Sequence, residues 1–176
     1  ANRCPCCDGA TGKLTSREFT VSSDYSNLKV GGGNHPYQPG TALGDQPTPT
    51  GETLADFEGS TYSSPMGDWM TTGDAFGTGP AQGALPGQQQ VSGYLGKGLV
   101  NTFLNGDAST GTLTSPTFTV DKKYLDFLIG GGYHPASSDS PTAVELVVDG
   151  KVVRSATGSN GEALNWASWD LSDLQG

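Results

Sequence analysis

The stretch TGTLTS at residues 110–115 is the most informative part of the sequence, because it repeats TGKLTS at residues 11–16. The same offset of 99 positions (110 minus 11) aligns GGGNHP at 31–36 with GGGYHP at 130–135. Aromatic residues between these stretches also coincide. A gapless correspondence over about 29 positions indicates a duplicated structural unit.

The two copies differ in how far they extend. The first runs into the Pro/Thr/Gly-rich stretch 44–53, which is typical of a linker. The second continues into Asp149-Gly150 between two β-rich runs, which is a strong hairpin signal. We therefore predict a partial β repeat at 1–43, a linker at 44–53, and a β-sandwich module that lacks its closing strand at 54–176.

Strands are predicted where runs rich in Thr, Val, Tyr and Phe lie between glycine and proline breaks. The apolar run YLDFLI at 124–129 is typical of a central strand that is buried on most of its surface. The predicted strands are 54–57, 100–104, 111–120, 124–129, 143–148, 151–156 and 167–171.

Composition supports an all-β fold. The 27 glycines and 11 prolines leave no apolar periodicity of helix length, and only 15% of residues are charged. The predicted fold class is all-β, with a jelly-roll-like β-sandwich preceded by a partial copy of the same repeat.

Charge excludes two classes of partner. The 18 acidic and 9 basic residues give a net charge of −9 without any basic cluster, so neither nucleic acid nor an anionic membrane surface is expected as a partner. No apolar run is long enough to cross a bilayer. Neutral glycans remain compatible with an acidic protein, since aromatic faces and hydrogen bonds recognise them.

The N-terminal sequence leaves several points open. Cys4, Cys6 and Cys7 are an odd number, so at least one thiol lacks an internal disulfide partner, and their pairing is undetermined. The chain begins with Ala1 and shows no signal peptide, so we expect a mature or excised chain.

A set of short motifs carries a family resemblance. They are DFEG at 56–59, GDW at 67–69, GDAFG at 73–77, VSGYLGKG at 91–98, the GGGxHP turn and DGKVVR at 149–154. Together they resemble the non-catalytic β-sandwich repeats attached to bacterial levanases and related fructan hydrolases of glycoside hydrolase family 32. The resemblance implies a secreted accessory module that binds a fructan-like polysaccharide.

The chain departs from that family in two places. The first copy lacks its front half and the hairpin after its His-Pro turn, and the second stops before the closing strand. A missing strand leaves an open sheet edge, which other chains can pair with. Homo-oligomers formed through open edges are therefore expected.

No catalytic residue is predicted. Glycosidases need two positioned carboxylates, and the family's catalytic signatures have no counterpart in the sequence. We therefore expect the chain itself not to be an enzyme. His35 and His134 occupy equivalent positions in the two copies, which favours hydrogen bonding across a turn over ligand contact.

The candidate ligand-binding residues are aromatic side chains and their polar neighbours. Tyr94 is preferred because it lies in a glycine-rich stretch beside polar residues, whereas Trp69 is twice as favoured for the core as for a ligand. Arg154 is equally suited to binding sugar hydroxyls and to pairing with an acid. The full predicted set is Tyr94, Gln88, Lys97, Tyr133, His134, Arg154 and Trp69.

A zinc site at the three cysteines is disfavoured, because it would need a fourth ligand and wider spacing, so calcium is the metal that remains to consider. Asp56 and Glu58 stand where sugar-binding sandwiches often hold this ion. The closing acidic ligand would lie in the strand that the chain lacks, so a complete site is not expected, and no other cofactor is predicted.

Two further functions compete with sugar binding by an accessory module. One is a structural or adhesive module that binds protein and assembles through open sheet edges. The other is a fragment of a family 32 glycosidase that has its own activity.

Overall fold

The computed structural model describes Pro49 and residues 51–176, which lie within one compact unit of the chain. These residues form eight strands and no helix: β1 Ser63–Ser64, β2 Gly67–Asp68, β3 Met70–Gly73, β4 Gly111–Thr114, β5 Tyr124–Gly131, β6 Val144–Val148, β7 Lys151–Ala156 and β8 Gly161–Asp170. The predicted all-β class is confirmed for this part of the chain. A search of the same residues finds no helix of the length and apolar character needed to cross a membrane.

The strands form four separate antiparallel pairs: β1–β2, β3–β4, β5–β8 and β6–β7. Within the described residues the pairs do not merge into the two multi-stranded sheets of a sandwich. The jelly-roll arrangement therefore stays a prediction. The partial repeat at 1–43 and the three cysteines lie outside the described residues, as does most of the predicted linker.

The β6–β7 hairpin forms as its turn sequence predicts. Asp149 and Gly150 have φ angles of 50° and 74°, and positive φ at both central residues is the requirement of a type I′ turn. Val148 pairs with Lys151 across the turn, and a bulge follows between Leu146 and Val147.

The longest sheet joins β5 to β8. Leu125 pairs with Trp169, and the Phe127 and Trp169 rings lie edge to face with centroids 4.6 Å apart. The strand predicted at 124–129 is confirmed, but its expected burial is not: its residues are half-buried, apart from the exposed Asp126, and β5 has a single strand partner in the described region. The late strand predicted at 167–171 begins earlier, at Gly161, because residues 161–166 alternate between exposed and half-buried positions.

Two predicted strands are absent. Residues 54–57 are not a strand, since Phe57 has a φ of 56°, which is outside the β region. Residues 100–104 fail for another reason: the Asn101 side chain accepts the Phe103 N–H at 3.1 Å and so replaces a ladder hydrogen bond.

The strand predicted at 111–120 is shorter than expected. It ends at Thr114, close to Pro116, which has no N–H to donate to a sheet. Its partner β3 was not predicted from the sequence. Met70 pairs with Thr114 and Gly73 with Gly111 in this pair.

The core of the described region is small. Its buried apolar residues are Tyr62, Ala75, Val91, Leu99, Leu146 and Leu171. An aromatic cluster forms around Tyr62, whose ring meets Phe57 and Phe76 edge to face at centroid distances of 6.2 and 6.3 Å. This cluster fixes the position of Trp69 beside it.

Candidate functional site

The first candidate site is a shallow groove of about 390 Å³ between the end of β5 and the end of β7, which we call the Tyr133 groove. Tyr133 is 59% exposed, so much of its side chain is accessible to a ligand. Its backbone N–H donates to Asn160 Oδ1 at 2.8 Å, which holds the residue at the rim. The lining residues are Tyr133, Pro135, Ala136, Ser137, Ser155, Ala156 and Thr157.

His134 connects the strands beside this groove. Its backbone N–H donates to Thr157 Oγ1 at 3.1 Å, and its carbonyl accepts from the Thr142 N–H at 2.9 Å. Thr157 Oγ1 in turn donates to the Thr142 carbonyl at 2.8 Å. The backbone of His134 thus holds the turn together, and the role of its side chain stays a prediction.

A second groove, of about 430 Å³, lies beside the aromatic cluster, and we call it the Trp69 groove. Trp69 meets Phe57 edge to face at 5.2 Å, and its Nε1–H donates to Ser64 Oγ at 3.1 Å. Trp69 therefore both packs on the cluster and faces a cavity. The lining residues are Thr61, Tyr62, Asp68, Trp69, Thr71, Gly77 and Thr78.

Tyr62 forms the base of the Trp69 groove. Its hydroxyl donates to the Phe76 carbonyl at 2.8 Å, and burial raises the pKa of its phenol. Tyr62 is therefore a neutral structural residue at the floor of the groove.

Tyr94, Gln88 and Lys97 line neither groove. Gln88 Oε1 accepts from Asn101 Nδ2 at 2.7 Å and from the Leu85 N–H at 2.9 Å. Tyr94 is half-buried, and its hydroxyl lies against Gly83. Gln88 thus stabilises the loop that follows Gly83, and Lys97 is exposed.

The two predicted calcium ligands make contacts within the chain. Glu58 Oε1 accepts the backbone N–H groups of Lys97 and Gly98 at 2.8 and 2.9 Å. Asp56 Oδ1 accepts the Glu58 N–H at 3.2 Å. Within the described residues, no group of three or more His, Cys, Asp or Glu side chains could hold a metal ion.

Arg154 pairs with an acid. Its Nη2 lies 2.6 Å from Asp173 Oδ1 and also donates to the Asp170 carbonyl at 3.1 Å. The guanidinium group beside Asp173 lowers the pKa of that carboxyl group below its usual range. Of the two roles considered for Arg154, the structure contains the ion pair.

Several groove residues were not predicted from the sequence. Asp68 is one of them, although its place beside Trp69 in the sequence is a signal for a polar–aromatic pair. The hydroxyl residues gave no signal, because Ser and Thr occur throughout the chain. They become candidates only when the fold brings them to a groove: Thr61, Thr71, Thr78, Ser137, Ser155 and Thr157.

Comparison with known proteins gives one informative relationship. No family model matches the chain, and no solved structure matches it significantly. The chain is 48% identical over 126 residues, or 72% of its length, to an Aspergillus rugulosus protein named "Putative glycosyl hydrolase ecdE". It spans 17% of the length of that protein.

This relationship corrects one expectation from the sequence. We expected the chain not to be an enzyme, because no family 32 catalytic signature was found. A 48% identical relative that is named as a glycosyl hydrolase contradicts that expectation. Of the resemblance to family 32 repeats, the comparison supports the broader part: the chain is similar to a protein named as a glycosyl hydrolase. The assignment to accessory repeats of family 32 stays a prediction.

Proposed function

We propose that this chain is part of a glycoside hydrolase and that it contacts the carbohydrate on which the enzyme acts. The 48% identity to the Aspergillus rugulosus protein is the observation that carries this proposal. Identity at this level over 126 residues supports a shared fold and a related role for the matched segment.

The Tyr133 groove is the proposed contact with sugar. Sugar rings place their C–H faces on aromatic side chains. Tyr133 is exposed in the folded chain, so its ring is accessible to a sugar. The Ser137, Ser155 and Thr157 hydroxyls beside it can exchange hydrogen bonds with sugar hydroxyls. The lining residues carry no ionisable group other than the Tyr133 phenol, which suits a neutral saccharide.

Fructan is the first substrate class to test, since the motifs resemble those of repeats in levanases. The same resemblance supports an extracellular location. Both belong to the proposal and depend on that resemblance alone.

The test measures binding and hydrolysis together. The chain is titrated with levan, inulin, β-glucan and mannan oligosaccharides, and reducing-end release is followed in the same samples. We expect Tyr133→Ala to weaken binding by about 1–2 kcal/mol, the usual scale for truncating an aromatic anchor. Leu95→Ala is the control, because Leu95 is 51% exposed and lines neither groove.

Two outcomes would count against the proposal. A chain that neither binds nor hydrolyses any of these saccharides would refute a carbohydrate role. Equal losses in Tyr133→Ala and Leu95→Ala would refute the Tyr133 groove as the contact.

A second candidate function is assembly with another copy of the chain. Within the described region β6 and β7 have only each other as strand partners, so each of these two strands keeps an open edge. Val147 and Val152, which pair across β6–β7, are 54% and 50% exposed. Light scattering should show association that Val147→Lys reduces, and a constant monomer mass across concentrations would reject assembly.

A further inference from the structure

We infer that the Trp69 groove is a second carbohydrate subsite, in which the Asp68 carboxylate selects neutral sugars over anionic ones. This inference deepens the proposed function and rests on it. It concerns a different groove from that of Tyr133, so the two can fail separately.

The indole ring of Trp69 is held in place before any ligand arrives. Phe57 meets it edge to face, and the Nε1–H bond to Ser64 Oγ fixes the ring orientation from the β1–β2 side. Ser64 is itself fixed, because its Oγ donates to the Gly67 carbonyl and accepts the Met66 N–H. A rigid aromatic surface loses little conformational entropy when a sugar ring packs on it.

Asp68 gives the groove its chemical character. Its backbone is fixed by pairing with Ser63 in the β1–β2 sheet. Within the described part of the chain, its carboxylate makes no hydrogen bond or ion pair, so both oxygens are available as acceptors. An ionised carboxylate accepts hydrogen bonds from hydroxyl groups that are stronger than those between neutral partners.

The hydroxyls of Thr61, Thr71 and Thr78 complete the polar lining. Each can donate to or accept from a sugar hydroxyl, which a purely apolar groove could not do. An aromatic face with one strong acceptor and several hydroxyls is the chemistry that recognises a hydroxyl-rich ring.

Asp68 also supplies the selectivity. No lysine, arginine or histidine lines the groove, and the chain carries a net charge of −9. A sugar carboxylate placed near Asp68 meets like-charge repulsion with no cation to offset it. The Tyr133 groove has no such carboxylate, so it should not discriminate in this way.

The test observes Trp69 directly. The chain has three tryptophans, so labelling with 5-fluorotryptophan gives three fluorine resonances, and Trp69→Phe assigns the relevant one. The labelled protein is titrated with a neutral gluco-oligosaccharide or a levan oligosaccharide, and then with the same gluco-oligosaccharide oxidised to the carboxylate at C6. All titrations are repeated in Tyr133→Ala.

The expected result is a shift of the Trp69 resonance with a neutral saccharide in both wild type and Tyr133→Ala. The oxidised saccharide should bind there about tenfold more weakly, and Asp68→Asn should remove that difference while keeping the amide oxygen as an acceptor. Asp107→Asn, an exposed acid that lines neither groove, is the matched control.

Three results would overturn the inference. If saccharides bind through Tyr133 while the Trp69 resonance stays fixed, the second subsite is wrong and the proposed function survives. If Trp69 responds equally to neutral and oxidised saccharides, the role of Asp68 is wrong. If no saccharide binds at all, both the inference and the proposed function fail.

Discussion

Arg154 Nη2 lies 2.6 Å from Asp173 Oδ1, and this ion pair joins strand β7 to the segment that follows β8. Arg154 Nη2 also donates to the Asp170 carbonyl, so one guanidinium group contacts two residues beyond its own strand. Since β6–β7 and β5–β8 are separate sheets, this contact links two sheets that share no strand hydrogen bonds.

This ion pair predicts a pH-dependent stability. The guanidinium group lowers the pKa of Asp173 in the folded chain, so the pair stabilises the fold at neutral pH. Its contribution decreases as the pH falls through the lowered pKa, because the carboxyl group then takes up a proton. In urea denaturation, Asp173→Asn should be less stable than wild type at pH 7, and the difference should narrow below about pH 4.

The control for this experiment is Asp107→Asn, an exposed acid with no hydrogen bond or ion pair in the described residues. Its stability relative to wild type should not follow the same curve. A difference for Asp173→Asn that stays constant from pH 7 to pH 3 would mean that the ion pair does not form in solution.

Asn101 is predicted to be the most sensitive polar residue of the described core. It is 7% exposed, and its side chain bonds to the Gly83 carbonyl, to Gln88 and to the Phe103 N–H. Asn101→Ala should lower the free energy of unfolding by about 1–3 kcal/mol, since it leaves buried polar groups unpaired.

Asn105→Ala is the matched substitution for Asn101→Ala. Asn105 is exposed, and its side chain makes no hydrogen bond in the described region. We expect a change within about 0.5 kcal/mol for this variant in the same urea titration. Equal effects at the two positions would contradict the network around Asn101.

The regular strands could be predicted where local chemistry alone determines them. The Asp149-Gly150 turn requires only two residues with positive φ, and the apolar run of β5 forms a strand with partial burial alone. Prediction failed where a side chain or a backbone angle intervened. Asn101 replaces a ladder bond and Phe57 adopts a positive φ, and neither effect is visible in a pattern of apolar and polar residues.

The grooves were harder to predict than the strands. Trp69 and Tyr133 were candidates because they are aromatic, but their neighbours come from distant parts of the chain. Ser155 and Thr157 reach the Tyr133 groove only because β7 ends beside the turn after β5. Tyr94 was preferred for its glycine-rich surroundings, yet those glycines allow close backbone approach to other segments.

Gly93 provides a prediction about such an approach. It has a φ of 80°, and a Cβ there would collide with the Leu164 carbonyl oxygen on β8. Its neighbour Ser92 exchanges backbone hydrogen bonds with β8, donating to the Glu162 carbonyl and accepting from the Leu164 N–H. Gly93→Ala should therefore destabilise the fold and increase amide exchange at Leu164.

Gly87→Ala separates backbone strain from collision. Gly87 has a φ of 82°, but a Cβ there would meet nothing within 4 Å. Gly87→Ala should lower the free energy of unfolding by about 1–2 kcal/mol, because alanine is strained in the left-handed conformation. Gly93→Ala should lower it by at least about 2 kcal/mol more, because strain and collision then add. Equal melting temperatures for the two variants would mean that the segment at Gly93 does not pack closely against β8.

Glu58 offers the last prediction, because it could serve either the fold or a calcium ion. One carboxylate oxygen accepts the Lys97 and Gly98 N–H groups, so its loss should free both amides. At this exposed position Glu58→Ala should cost about 1 kcal/mol, and Glu58→Gln less, since the amide keeps an acceptor oxygen. Hydrogen exchange should accelerate at Lys97 and Gly98 in Glu58→Ala but not in Glu145→Gln, an exposed acid on β6. Because the Glu58 carboxylate already accepts two backbone N–H groups, calcium should raise the Tm of the wild type little. A calcium-dependent rise in Tm that both Asp56→Asn and Glu58→Gln abolish would contradict this prediction.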